Sequence, residues 1–207
     1  MHIPEPTGSF ELAPEGTFLG VCYRVIDVGT QESTYQGETK RARKVMLSWE
    51  LPNEKMEDGK PFSVHQTYTL SMHEKSTLRK HLESWRGKKF EQADFGPNGF
   101  NMKKLIGVGC LITITHNHKG ESAYANLTGV AKMMKDMTAP QSINDPVYFS
   151  MENQETFEAT RSALDKMGDR LAERIRNSPE YIARAKGGDS DPFEERNSFE
   201  LSDDIPF

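Results

Sequence analysis

Apolar and polar residues alternate with a period of two along several stretches of the chain, and that period marks strands with one face toward a core. In the first stretch, residues 17–28, Leu19, Val21, Tyr23 and Val25 fall on one side and Phe18, Cys22, Arg24 and Ile26 on the other. A second strand is predicted over 40–51, where Val45, Leu47, Trp49 and Leu51 alternate with Lys44, Met46, Ser48 and Glu50. The polar residues 29–39 between them predict a loop. Pro52, Asn53, Asp58, Gly59 and Pro61 mark the next turn, after which Phe62, Val64, Tyr68 and Leu70 oppose His65, Thr67 and Thr69 over 62–70. The period then changes. Ser71 and Glu74 have the spacing of a capping box, Leu78, Leu82 and Trp85 recur at helical intervals, and Gly87 ends the predicted helix. Two more strands follow, 107–116 with Cys110, Ile112 and Ile114, and 122–133 with Ala125, Leu127 and Val130. The polar turn Asn117-His118-Lys119-Gly120 separates them.

Three strands, one helix and two strands, with Gly107 and Gly109 available to help curl the sheet, predict a mainly β fold. The expected architecture is a five-stranded oligonucleotide/oligosaccharide-binding (OB) barrel, its helix lying between strands 3 and 4. The barrel is expected to occupy residues 1–138. From 139 to 186 a linker leads into an amphipathic helical region, where Phe157, Leu164, Met167, Leu171 and Ile175 form an apolar stripe flanked by Arg161, Arg170, Arg174 and Arg176. Ser178-Pro179-Glu180 opens a second short helix there. The stripe suits packing back onto the barrel and self-association equally well.

Residues 187–207 contrast with everything before them. Gly187 and Gly188 are followed by Asp189, Ser190, Asp191, Pro192, Glu194, Glu195, Asn197 and Ser198, too polar and breaker-rich to offset ordering entropy, so a disordered acidic tail is expected. The tail accounts for much of the charge. The 207 residues carry a formal net charge of -5, yet residues 1–140 hold 18 basic against 16 acidic side chains and residues 141–207 hold 8 against 15. A near-neutral domain with local basic clusters stands in front of an acidic appendage, so the overall charge does not exclude a nucleic-acid partner.

Beyond that polar stretch the sequence reaches Asp203, Asp204, Ile205, Pro206 and Phe207. An apolar tip on a segment that cannot fold is presented to a partner. The ring and a terminal carboxylate would make one handle, and the aspartates a second for Lys or Arg. The segment resembles the C-terminal tail of bacterial single-stranded DNA-binding proteins, whose acidic run ends in Asp, Ile, Pro, Phe. That resemblance implies an OB barrel, binding of single-stranded DNA, and recruitment of replication, recombination and repair enzymes. The long Gly/Gln/Pro-rich linker of that family is missing, and the barrel lacks its familiar segments. The chain is closer to a divergent version of the kind bacteriophages encode. Oligomeric state, including a homo-oligomer, is left open.

Unpaired nucleic acid presents phosphates and bare base faces, so its binder needs a basic track beside aromatic rings. The basic candidates are Lys40, Arg41, Arg43 and Lys44 entering the second strand, Lys88 and Lys89 after the helix, the pair Lys103 and Lys104, and Lys119 at the last hairpin. Strand alternation assigns Trp49 and Tyr68 to the core, and helical spacing does the same for Trp85. Tyr124, Tyr35 and Phe18 are left as stacking candidates, with Arg24 beside Phe18 on its face.

His116 and His118 lack further ligands at metal-site spacing, and no P-loop, nucleophile elbow or zincin motif is present. No enzyme, metal or cofactor is therefore expected. Cys22 and Cys110 are too few for a disulfide framework, and with neither a signal-like N-terminus nor a long apolar run, the expected setting is the cytoplasm of a bacterial host cell. Two other function classes remain at this level. An OB adaptor would bind protein in its groove and give no salt-sensitive DNA complex. A nuclease would degrade strands in the presence of divalent metal.

Overall fold

The computed structural model describes residues 11–35, 37–95, 99–120 and 122–187, apart from the side chains of Tyr35, Lys119 and Ser122. The tail Asp203–Phe207 lies outside the described residues. Six strands form one sheet: β1 (Gly16–Tyr35), β2 (Glu38–Lys55), β3 (Pro61–Thr69), β4 (Gly109–Lys119), β5 (Ser122–Ala131) and the short β6 (Val147–Phe149). Their order is β3-β2-β1-β4-β5, with β6 pairing to β1. Among the described residues no ladder joins β3 to β5, so the sheet is open. The helices are α1 (Thr77–Arg86), α2 (Gln154–Thr160), α3 (Asp169–Arg176) and α4 (Pro179–Ala185). None of them is long and apolar enough to cross a membrane.

Residues 29–39 do not form the expected loop. β1 runs on to Tyr35 and β2 starts at Glu38, leaving a tight turn in which Gly37 has φ 84°. Thr34 and Thr39 hydroxyls meet at 3.1 Å across this ribbon. Beyond buried Thr30 the described side chains of this ribbon are solvated on both faces, so they leave no apolar alternation to read. Helix α1 also starts later than its predicted cap. Ser76, not Ser71, accepts the Arg79 N–H, while Gly87 closes the helix at φ 71° as expected.

Two compact units are distinguishable. One comprises the described residues up to Arg24, Leu47–Gln66 and Met72–Pro146. Its core holds Leu47, Trp49, Leu51, Leu78, Leu82, Trp85, Cys110, Ile112 and Ile114. The Trp49 and Trp85 rings lie 5.8 Å apart, and Trp85 Nε1 donates to the Gly109 carbonyl at 2.9 Å. Gly109 sits in a close approach, where a Cβ would stand 2.6 Å from Met133 Sδ and 3.0 Å from Ala139 Cβ. Glu50 is fully buried and accepts from the backbone N–H of Ile143 at 2.6 Å and of Asn144 at 2.9 Å, which ties down the segment before β6.

The other unit comprises Val25–Met46, Thr67–Ser71 and the described residues from Val147 onward. Here the expected amphipathic helix is broken into α2, a 3-10 turn over Arg161–Lys166 and α3, with Gly168 as the α3 N-cap. Its apolar stripe packs back onto strand residues: Phe157, Leu164, Met167, Ala172 and Ile175 share one core with Ile26, Val28 and Met46. Polar groups fasten the same unit. Buried Glu180 accepts from Thr30 N at 2.8 Å and from its hydroxyl at 2.5 Å, and Arg184 donates to the Met151 and Glu152 carbonyls at 3.3 and 2.9 Å. Gly29, at φ 71°, lies against Ser178 so closely that a Cβ would stand 2.4 Å from it. Only glycine fits there.

Candidate nucleic-acid interface

The sequence candidates fall into two sets, one in each unit. In the first unit β4 and β5 form a hairpin in which Asn117 pairs with Tyr124 and Thr115 with Asn126. Directly paired residues share a face. Tyr124 therefore stands on the polar side of the hairpin and is 52% exposed. The Thr113 hydroxyl, on this face, meets that of Thr17 at 3.1 Å. Phe18 is placed differently. It pairs with Ile112, which is fully buried, so its half-buried ring lies on the core side and leans over Gly16. Phe18 and Tyr124 do not share a stacking surface.

Arg24 follows Phe18 by strand alternation on that same side. Its guanidinium carbon lies 4.9 Å from the Tyr23 ring centroid, and its Nε is buried with no hydrogen-bond partner. Lys88 and Lys89 are exposed after α1, with Lys88 Nζ 3.9 Å from Asp94. Asp94 belongs mainly to Arg86, which it meets at 2.6 and 3.1 Å. Those hydrogen bonds, with the Glu91 N–H and the Lys88 charge, hold the Asp94 carboxyl down to about 2 from 3.8. A carboxylate with a depressed folded-state pKa stabilises fully above its unfolded pKa and loses that contribution as pH falls through the folded one. An acid titration of stability is thus expected to lose part of its slope between about pH 4 and 2 in Asp94→Asn.

The same connector carries rings that strand alternation could not find. Phe95 and Phe100, half-buried, meet Phe90 at centroid distances of 5.6 and 5.2 Å, between Lys88–Lys89 and exposed Lys103 and Lys104. His116, by contrast, is held by the Ala13 carbonyl at 2.8 Å. Among the described residues no group of three or more His, Cys, Asp or Glu could hold a metal ion. Cys22 and Cys110 are buried and unpaired, and burial pushes the Cys22 thiol up to about 12.

In the second unit the basic run on β2 divides by face. Arg41 donates through Nε to Glu32 at 2.6 Å. Arg43 donates through Nη2 to Asp27 at 2.6 Å, with side chains only 19% and 9% exposed. Asp27 also accepts from Gly29 N at 3.0 Å and Met151 N at 3.2 Å. These two arginines are neutralised in place. Lys40 and Lys44 fall on the other face by alternation, together with Met46 of the shared core. Lys40 is exposed, and Lys44 Nζ donates to Thr69 Oγ1 at 2.9 Å. Burial, and then the nearby Arg174 charge, hold the Lys44 amine below its usual 10.5. Tyr35 and Lys119 are strand residues whose side chains lie outside the described atoms.

The division separates structural from available charge. Arg43→Ala strips the buried Asp27 carboxylate of its charged partner, and the expected loss of stability is about 2 kcal/mol, read by denaturant titration. Arg41→Ala, an exposed pair, is expected to change stability by less than about 0.5 kcal/mol.

No protein-family model matches the chain, and no curated protein matches it.

Proposed function

We propose that the protein binds single-stranded DNA without sequence preference and brings replication, recombination and repair enzymes to it through its acidic segment. The observation that carries this is Asp203-Asp204-Ile205-Pro206-Phe207 at the end of a segment with seven acidic residues and one arginine from Asp189 onward. Such a segment has the composition of a docking peptide, and a solubilising tail has no use for Ile205 and Phe207.

The sheet supports the same reading. A central β1 with β2 and β4 on either side, β3 outside β2 and β5 outside β4, is the strand order of an OB fold, in which β3 would close on β5. Tyr124 offers an exposed ring on a polar strand face, and the cationic face of β2 offers phosphate contacts. Binding and stacking need no catalytic group, and the proposed setting is a bacterial cytoplasm in which a phage-type protein addresses host enzymes.

The test is a pair of titrations with labelled oligo-dT and a duplex of equal length, over a salt series. Tighter, salt-sensitive binding of the single strand is expected. Equal affinity for both, or no complex with either, overturns the proposal. Loss of strand integrity only with added divalent metal would make the protein a nuclease instead.

A further inference from the structure

The charge on the Lys44 face of β2 has no acid to meet it. Lys44 reaches the neutral Thr69 hydroxyl, and α3 packs on this face, because Met46, two residues along β2, shares a core with Ala172 and Ile175. That packing brings the cation of Arg174, the neighbour of Ile175, toward Lys44, whose amine burial, helped by that charge, holds below its usual range. Arg174 is itself held by a neutral group. Gln31 Nε2 donates to the Arg174 carbonyl at 3.2 Å, and Arg174 Nε lies 3.5 Å from Gln31 Oε1. Neither cation has a carboxylate partner among the described residues.

Two like charges held near one another, one of them partly desolvated, raise the free energy of the unliganded protein, and an anion between them relieves it. The donors left over suit an oxyanion. With one N–H on Thr69, the Lys44 ammonium keeps two, and with Nε on Gln31, Arg174 keeps both terminal nitrogens of its planar fork. Lys40, four residues back on the same strand face, lies about 13 Å along β2 at ordinary strand rise. Cations spaced along one face fit a polyanion better than a single carboxylate.

We propose that Lys44 and Arg174 seat a backbone phosphodiester of single-stranded DNA, with Lys40 meeting the same strand farther along, so that helix α3 takes part in strand binding. This rests on the single-strand-binding function proposed above and adds to it a residue outside the β-strands. The Thr69 hydroxyl and Gln31 amide act as neutral positioning groups for the two cations.

The test is the salt dependence of oligo-dT binding, measured by fluorescence anisotropy for wild type, Lys44→Gln, Arg174→Gln, their double variant, Arg174→Lys and Arg41→Gln. Each single neutral variant is expected to lower the slope of log affinity against log salt by about 0.7, and the double variant by about 1.4. Arg174→Lys keeps the wild-type slope because charge is kept, and Arg41→Gln keeps it because Arg41 is already paired. Thermal melts establish that each variant is folded, and an oligomer with uncharged methylphosphonate linkages is expected to bind wild type and double variant alike. Unchanged slopes in folded Lys44→Gln and Arg174→Gln overturn the proposal while leaving single-strand binding in place. Absence of any wild-type complex with oligo-dT overturns both. If the two variants lose only binding to an acidic peptide, with the DNA slope intact, the site belongs to a protein partner and the proposal also falls.

Discussion

Removing Asp203–Phe207 is expected to abolish capture of a tail-binding replication or repair enzyme while single-strand affinity holds or rises. The deletion takes away two apolar anchors, Ile205 and Phe207, and two carboxylates, Asp203 and Asp204. Burying an aliphatic or aromatic side chain in a partner's pocket contributes about 1.5–3 kcal/mol each. Losing both therefore costs about 3–6 kcal/mol, enough to weaken a micromolar complex by a hundredfold or more. The effect on DNA has the opposite sign. From Asp189 onward the segment carries seven acids against one arginine, and at low salt such a polyanion competes with DNA for the same cations. Removing part of it relieves that competition, and added salt screens what remains. Calorimetry with the enzyme and anisotropy with oligo-dT read the two effects separately. Phe207→Ala is expected to reproduce most of the partner defect without the change in charge. Equal enzyme affinity for wild type, the deletion and Phe207→Ala would end the recruitment half of the proposed function.

The parts of this fold that could be read from the sequence are those where apolar residues recur at a regular period. Leu47, Trp49 and Leu51 alternate with polar residues, although Ser48 and Glu50 between them are also buried, and Leu78, Leu82 and Trp85 follow a helical period; all six apolar residues are buried. The ends of β1 and β2 next to their shared turn, beyond Thr30 and before Ala42, escaped because a ribbon wetted on both sides carries no such signal. β6 is three residues long, too short for any period, and the break between α2 and α3 replaces one apolar stripe by several short pieces on the same core.

The candidate site was harder to read for a related reason. Between Val21 and Val28 both faces of β1 are apolar and all but Arg24 and Asp27 are buried hydrophobics, so alternation alone cannot say which side Phe18 joins. Pairing with Ile112 decides it. The same holds for charge: the basic run on β2 looks uniform until cross-strand partners divide it into arginines already matched by Glu32 and Asp27 and lysines that are not. Arg174 was visible only as one of several arginines flanking the stripe. Its place beside Lys44 depends on how α3 packs within its own unit, which no local pattern encodes.

Trp49 and Tyr124 give the sharpest separation of folding from binding. Trp49 is 1% exposed and lies against Trp85, so Trp49→Ala opens a large cavity and is expected to cost about 3–5 kcal/mol of stability. Its indole Nε1 is buried with no hydrogen-bond partner among the described atoms, a feature that already costs free energy. Trp49→Phe removes that donor along with part of the volume, so its destabilisation is expected to be much smaller than that of the alanine variant. Tyr124, half in solvent on a polar strand face, supports little of the fold. Tyr124→Ala is expected to leave the melting transition close to wild type and to cost about 1–3 kcal/mol of single-strand affinity through lost base stacking. Thermal melts and oligo-dT titrations on the three variants separate these effects, because a stacking platform lowers affinity without lowering stability and a core residue does the reverse at temperatures where the variant is still folded. If Trp49→Ala melts with wild type yet binds weakly, while Tyr124→Ala binds normally, the indole faces the DNA and the polar face of the β4–β5 hairpin has no part in stacking.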